Sequence, residues 1–527
     1  MIKKIYKSIF LLSVIALAYS CGKGFLDAKP QGVLSEAQLA NTKGVESALI
    51  GAYGIMNGNI SGTWGNYSSG PSQWLFGEVA ADDAHKGSNS SDQSPMNDIE
   101  LHNVLPSNDN LPTMWRVYYE GIIRCNSTLR LLNAVQSGSG EKFSEERATQ
   151  IAAEAKMLRG HYYFFLVRVF KNIPYVDETM TTQDATQVTN DKDVYPMIEA
   201  DFKAAVAGLP QDYTKPLGEV GRVDKYAAEA YLGKLYLYQK KYSDALPLLK
   251  DVITHKPALA SLAFDANFNI KTKNGAEGIL VAQSIINPDG SGDNANVGDM
   301  LAGLYGNSPG GCCGFYQPSV DLVNAFKVGT DGLPYLDGTY RTNPYKSDQG
   351  LSGTALDNYK LDTTLAFDPR LDYTVGRRQV KYRDWGVLVP GWIRDQAFAG
   401  PFVAVKQMIN VADFSGNVAN GANYLTAQNV NIIRLSDVYL MAAECAVETN
   451  ALEDARTWIN AVRTRAGNLA PVLTAYGNPA AKYLVKTYPS FSSQDYARKA
   501  VQFERRLELA LEGHRYYDLV RWGTAKA

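Results

Sequence analysis

The stretch from Val223 to Leu259 most constrains the fold, because its spacing matches the tetratricopeptide pattern of two antiparallel helices in about 34 residues. Leu232-Gly233 with Tyr236 places a small residue where the first helix is crossed closely by the second. Ala245, Leu249 and Val252 then recur at helical spacing, and Pro257 stands where the pattern carries its closing proline. Glu229 occupies the position usually held by tryptophan. A second, weaker copy runs from Ser436 to Gly467, with Ala443, Ala446, Ala455, Ile459 and Val462 at matching offsets and Gly467 in place of the proline. One helix pair cannot bury both of its faces, so several must stack.

Further helices complete that expectation. From Ser144 to Lys171 the residues Ile151, Ala155, Leu158, Tyr162, Phe165 and Val169 step by three or four and give one apolar face. Tyr53, Trp115 and Tyr119 fall in other helical stretches, as do Val501, Leu507 and Leu511. Between about Phe264 and Tyr424 the composition turns to Gly, Asn, Asp, Pro and aromatics with short apolar runs such as Ile279 to Ala282, which reads as loops and short strands. The fold expected is mainly α: a tetratricopeptide-like stack over about 36–260 and 425–527 carrying a loop-rich insertion over about 264–424. Loops held on a rigid scaffold concentrate binding residues, so this insertion and the loop from Gly58 to Asn103 form the candidate surface.

The N-terminus indicates where such a chain works. Lys3, Lys4 and Lys7 precede an uncharged apolar run from Ile9 to Ala18, and Ser20 sits directly before Cys21. This pattern is a signal peptide over 1–20 ending at a lipoprotein cleavage site, with Cys21 the lipid-bearing first residue of a single mature domain over 21–527. The apolar run is too short to span a hydrocarbon core, whereas more than one acyl chain on Cys21 gives a stable tether. Removal of the signal takes three lysines and no acid, leaving 49 basic against 54 acidic side chains. No basic patch is implied, and nucleic acid is not an expected partner. Tyrosine is abundant, at 32 residues beside 7 Trp and 18 Phe, which suits wet surfaces that must also be adhesive.

Four cysteines remain for an oxidising compartment. Cys125 and Cys445 lie in helical segments and read as buried free thiols. The vicinal pair Cys312-Cys313 lies in the glycine-rich loop Ser308 to Tyr316, where a strained disulfide and two separate thiols both remain open. Zinc would require a second ligand pair at suitable spacing, which the chain lacks. Five scattered histidines form no HExxH motif, and neither a nucleophile elbow nor a phosphate-cradling glycine loop occurs. Asp82-Asp83 could offer one carboxylate for glycoside hydrolysis, but no opposed second acid can be assigned. The loop Asp289 to Asp299 alternates oxygen donors, yet it lacks the glycine and glutamate of a calcium loop and reads as a solvated turn. No enzyme, metal or cofactor is expected.

With these features in hand, the chain resembles the SusD/RagB family of outer-membrane nutrient-binding lipoproteins along essentially its whole length. The resemblance is carried by Cys21 with Phe25-Leu26-Asp27 and Pro30, by Gln317 to Phe326 (QPSVDLVNAF), and by Asp368-Pro369-Arg370-Leu371. More specific are Arg434 to Glu444 (RLSDVYLMAAE), Ile459 to Gly467 (INAVRTRAG) and Glu504 to Trp522 (ERRLELALEGHRYYDLVRW). Charged residues in these blocks (Arg434, Glu444, Arg463, Arg505, Glu508, Arg515) sit among core residues and suggest ion pairs knitting helices together. The resemblance implies a lipid-anchored, cell-surface protein of the outer membrane that captures an oligosaccharide or other nutrient without catalysis. It also implies a partner, a SusC-like TonB-dependent transporter on which the protein acts as a lid.

A pyranose presents an apolar C–H face and a rim of hydroxyls, so capture calls for flat rings with a few polar groups. The candidate platforms are Trp64, Tyr67, Tyr305, Phe315 and Tyr316, with Asp82, Asp83 and Lys86 as polar partners. Ala80-Ala81-Asp82-Asp83 resembles a family segment near the ligand pocket. Where family members often carry an aromatic near Gly310-Gly311, this chain has Cys312-Cys313, whose disulfide would give a flat apolar contact for a sugar. Two other readings stay open: a lipoprotein of the same uptake system that takes peptides or another nutrient, and a tetratricopeptide scaffold that binds only proteins.

Overall fold

A computed structural model describes residues 36–60, 65–212 and 219–526, so Cys21 and Trp64 lie outside the described residues. Among the described residues ten helices have eight residues or more: α1 (Thr42–Gly54), α2 (Asn110–Ser137), α3 (Glu145–Phe170), α4 (Tyr195–Gly208), α5 (Lys225–Tyr238), α6 (Tyr242–His255), α7 (Leu435–Glu448), α8 (Leu452–Gly467), α9 (Gln494–Leu509) and α10 (Arg515–Trp522). Polar side chains start several of them by accepting an orphan backbone N–H: Asn41 before α1, Ser144 before α3, Asp224 before α5 and Ser493 before α9.

Each helix packs on the next, α1 on α2 and so on to α6, then α6 on α7, α7 on α8, and α9 against both α7 and α8. The stack therefore passes from α6 to α7 across the intervening 256–434 as if the chain were continuous. At the tetratricopeptide-like pair α5/α6 the close crossing is real, since a Cβ on Gly233 would lie 2.8 Å from Leu249 Cδ2. Ala245, Leu249 and Val252, and in the second copy Ala443, Ala446, Ala455, Ile459 and Val462, are all fully buried.

Two expectations change. Helix α3 is buried almost all round from Met157 to Val167 rather than on one face, because α2 and α4 clasp it from different sides. Leu511 is not helical: α9 stops at Leu509, and Leu511 (φ +60) and Gly513 (φ +74) turn the chain into α10. Cys125 and Cys445 are buried free thiols, and burial pushes both well above the ordinary thiol range.

Within 256–434, strand β2 (Gly278–Ala282) pairs antiparallel with β4 (Val430–Arg434), Gly278 opposite Arg434, which ties the start of this segment to its end. Strand β1 (Ala84–Gly87) pairs antiparallel with β3 (Phe315–Pro318), Gly87 opposite Phe315, and so joins the two loop regions singled out from sequence. Small separate cores support the loops, one of Leu304, Tyr382, Trp385, Leu388, Trp392, Val405 and Met408. A second, Ala295, Val297, Met300, Ala419 and Leu425, has Tyr67 and Tyr424 packed against it. Among the described residues no helix is long and apolar enough to cross a membrane.

The 289–299 loop is not one continuous solvated turn. Asp289 accepts the Ser291 N–H at 2.8 Å at the surface, but Asp299 is buried, with its Oδ1 taking the Ser72 hydroxyl and its Oδ2 unpartnered. Burial pushes the Asp299 carboxyl up from 3.8 to about 6. A proton is therefore held more tightly in the folded state. Below about pH 4 the acid is neutral folded and unfolded alike, and stability falls as pH rises through the window from about 4 to 6. Asp299→Asn is expected to stabilise the protein by about 1–3 kcal/mol at pH 7 and by nothing at pH 4, read from urea unfolding at the two pH values. The cavity of about 50 Å³ that Asp299 lines is also lined by Gln407 and Gln428, whose Oε1 atoms lack donors and are the candidate acceptors for the new amide.

Candidate functional site

The β1/β3 ladder brings together part of the residue set expected from sequence. After β1, the Ser88 N–H donates to the Gly314 carbonyl at 2.5 Å, and the turn that follows carries Asp92. Asp92 pairs with Arg394, which also donates to the Ser88 hydroxyl at 2.9 Å. The Arg394 guanidinium lies 5.2 Å from the Tyr305 ring centre. From Tyr305 the chain reaches the Cys312–Cys313 loop, where Cys313 and Gly314 both donate to the Gly303 carbonyl at 2.8 and 2.6 Å. A Cβ on Gly303 would overlap the Cys312 carbonyl oxygen and lie 3.0 Å from Tyr424 Cβ, which puts Tyr424 beside the cysteine loop. Tyr67 packs with Tyr424 against the same small core; burial raises its hydroxyl above the ordinary value, and the charges of Tyr424 and Asp92 raise it further.

Tyr67, Tyr305 and Tyr424 are each half-buried, as is Cys312, while Gly311 is exposed. Three phenol rings, an Arg–Asp pair and a glycine-rich loop thus share one partly open surface. Such a surface can stack on apolar C–H faces and hydrogen-bond a hydroxyl rim. Cys312 and Cys313 form a disulfide. Asn423 fixes the loop from outside, donating to the Pro309 carbonyl at 2.9 Å.

Other expected residues serve different ends. Phe315 and Tyr316 are 3 % and 0 % exposed and cannot be platforms; they pack under the loop against Trp74, with ring centres at 6.4 and 5.7 Å. Their position follows from β3, whose four residues are all buried. Lys86 is also buried, its ammonium donating to the Asn89 and Asp92 carbonyls at 2.6 and 2.5 Å, and burial lowers its pKa. It lies 5.4 Å from the Phe315 ring centre and 5.2 Å from that of Phe398, so it braces the Asp92 turn rather than meeting a ligand.

Asp82 and Asp83 are taken up by the C-terminal helices. Arg515 grips Asp82 at 2.7 and 2.8 Å, and Arg506 holds the buried Asp83 at 2.6 Å. Burial alone would raise Asp82, but Arg515 and Arg506 hold it well below the usual carboxylate range. Asp83 is raised by burial against the pull of Arg506. Sequence reasoning missed Tyr424, Asp92 and Arg394; a survey of aromatics carried to the last residue of the insertion would have included Tyr424, whereas the Arg394–Asp92 pair spans 302 positions and leaves no local mark.

A larger cleft of about 640 Å³ lies between the Ala80–Asp82 turn, Gly338–Arg341 and helices α9 and α10. Its arginines are already partnered, Arg341 with Asp321, Arg506 with Asp83 and Asp321, and Arg515 with Asp82. The tyrosine surface is the stronger candidate because it brings Tyr67, Tyr305 and Tyr424 together with the Arg394–Asp92 pair.

Comparison with known proteins bears on the family. The sequence model described as the SusD family matches residues 276–527, and one described as starch-binding, associating with the outer membrane, matches residues 25–237. The chain is 24% identical to SusD-like protein P25 of Formosa agariphila, over 99% of this chain and 90% of that protein. It is 22% identical to a SusD-like protein of Bacteroides ovatus, over 98% and 82%. Among solved structures it is similar to a laminarin-binding SusD-like protein, with TM-score 0.67, 26% identity and 92% of each chain covered. Surface glycan-binding protein A of Bacteroides thetaiotaomicron, solved with laminarihexaose, shares the fold at TM-score 0.63 and 19% identity, covering 92% of this chain and 91% of that one. A mainly α stack of tetratricopeptide-like pairs, the ordered C-terminal blocks and these matches together place the chain in the SusD/RagB family.

Proposed function

We propose that this protein is a cell-surface, lipid-anchored glycan-binding protein that captures an oligosaccharide on the Tyr67, Tyr305 and Tyr424 surface and passes it to a SusC-like TonB-dependent transporter. The observation that carries the reading is that Tyr67 and Tyr424 pack on one small core beside the cysteine loop, which Tyr305 flanks at Gly314 under the Arg394–Asp92 pair. Rings supply the faces on which sugar C–H groups stack, and Arg394 with Asp92 supplies a donor and an acceptor for hydroxyls. Trp64, three residues before Tyr67, is proposed as a further ring of this surface. Lipid on Cys21 would hold the protein at the outer membrane, in keeping with the family description. Catalysis is not part of the proposal: the ionised groups of the surface form one partnered cation and anion rather than two acids with opposed roles.

The test is calorimetric titration of the chain begun after Cys21 against a panel of oligosaccharides. Laminarin fragments come first, because a laminarin-binding relative covers 92% of this chain. Saturable, salt-insensitive binding of one glycan class is expected, since stacking and neutral hydrogen bonds are not screened. Binding of peptides in place of any glycan would overturn the proposal.

A further inference from the structure

We propose that the Cys312–Cys313 disulfide is itself a ligand-contacting element of this surface, and that the oxidised pair is the binding-competent state; the inference rests on the glycan-capture reading above. The first argument concerns what this bond does not do. Its cysteines are adjacent in sequence. The entropy that a cross-link removes from the unfolded chain grows with the length of the loop it closes, so a bond across one peptide constrains little. Nor does it join two elements of the fold. Its effect is confined to the shape and chemistry of its own loop.

That loop is also held by hydrogen bonds and packing. The Cys313 and Gly314 N–H groups converge on the Gly303 carbonyl, the Gly311 N–H donates to the Ser308 carbonyl at 3.1 Å, and the Ser308 hydroxyl donates to the Leu304 carbonyl at 2.7 Å. Neighbours press on it from both sides: Tyr424 at Gly303, and Tyr305 at Gly314, where a Cβ would lie 3.0 Å from Tyr305 Cβ. Glycine is required at 314 on a second ground, its φ of +81. Cys313 is 7 % exposed and belongs to the main core, while Cys312 is half-buried and follows an exposed Gly311, where an added Cβ would meet open space. The pair is therefore anchored at one residue and open at the other, between two candidate platform rings.

The chemistry of the open side fits the proposed ligand. A disulfide is apolar and polarisable and carries no hydrogen-bond donor, so it can lie against the C–H face of a sugar as a ring does. Two thiols in its place would present S–H groups with no preferred direction and would separate. Reduction by a dithiol breaks the S–S bond, moves two electrons and two protons onto the cysteines, and releases the reagent as its own cyclic disulfide. Export to an oxidising compartment keeps the pair closed.

The experiment measures thiols and affinity together on the chain begun after Cys21. Denatured protein is expected to show two titratable thiols, Cys125 and Cys445, and four after treatment with dithiothreitol. The affinity for the best glycan of the panel is expected to fall at least tenfold on reduction and to return on reoxidation, with the unfolding midpoint unchanged. A Cys312→Ser, Cys313→Ser double variant should show the same loss and no response to dithiothreitol. Should that variant fail to fold, the reversible reduction of the wild-type chain decides alone. Four thiols in the untreated protein, or equal affinity in both redox states, would overturn this inference and leave glycan capture standing. An oxidised chain that binds no glycan overturns both.

Discussion

Replacing Glu508 with glutamine is expected to lower the urea unfolding midpoint by the equivalent of about 3–5 kcal/mol, a large share of what holds a domain folded. Glu508 is fully buried at the centre of an ion network that joins α8, α9, strand β4 and the rest of the loop-rich segment. Its carboxylate accepts from Arg434 at 2.6 Å, from Arg370 at 2.9 Å and from Arg465. Around it Arg370 pairs with Asp368 and Glu504, Arg463 with Glu504, Arg465 with Glu277, and Arg434 with Glu277 and Glu512, while Lys406 meets Glu512. Five cations thus face five carboxylates. An amide at 508 would turn two donor hydrogens toward guanidinium donors and leave one positive charge uncompensated away from water.

The same network sets the acid limit of the fold. Burial alone would raise the Glu508 carboxyl, but Arg465, Arg434 and Arg370 overcome it and hold the group well below the usual carboxylate range. An acid depressed in the folded state contributes its full stability above its unfolded value, near 4.5, and loses it as pH falls below that. Acid unfolding of the wild type is therefore expected to begin below about pH 4.5, and Glu508→Gln removes this part of the pH dependence. As a control, Glu453→Gln at the exposed Arg456 pair should leave the midpoint unchanged, because solvent screens that contact.

What could be read from the sequence follows from the range of the interactions. The stack was legible because its signal is local: Gly233 meets Leu249 only 16 positions on, and the buried alanines of α7 and α8 fall at helical spacing. The ionic role of Arg434, Arg463, Arg505 and Glu508 was legible too, since charges amid core residues on a helix must be paired. The partners were not. Asp82 and Asp83 looked like ligand groups in a loop, and nothing near them shows that Arg506 and Arg515, more than 420 positions later, consume both. Phe315 and Tyr316 failed as platforms because burial of a two-residue aromatic run depends on the strand it joins, and β1 lies some 230 positions earlier. Tyr305 and the cysteine pair were legible as parts of one loop because a run of glycine and aromatic residues is itself a local signal.

Tyr424→Ala and Tyr305→Ala are each expected to weaken glycan binding by about 30-fold, the roughly 2 kcal/mol typical of losing a central aromatic anchor. The fold should survive both changes. Each ring is half-buried and lies outside the helical stack, Tyr424 at the edge of the Ala295 to Leu425 cluster and Tyr305 beside Arg394. Phenylalanine separates the parts of the interaction: it keeps the ring face and loses the hydroxyl, so Tyr424→Phe should retain most of the affinity if stacking dominates. Arg394→Ala removes a rim donor and the cation over Tyr305, and should cost less than either ring, about tenfold, because a partly exposed polar group exchanges its ligand bond for water. Isothermal titration with one glycan across the four variants checks the order. If both alanine variants bind as the wild type does, the tyrosine surface is not the ligand site, and the 640 Å³ cleft between α9, α10 and Tyr340 becomes the place to mutate next.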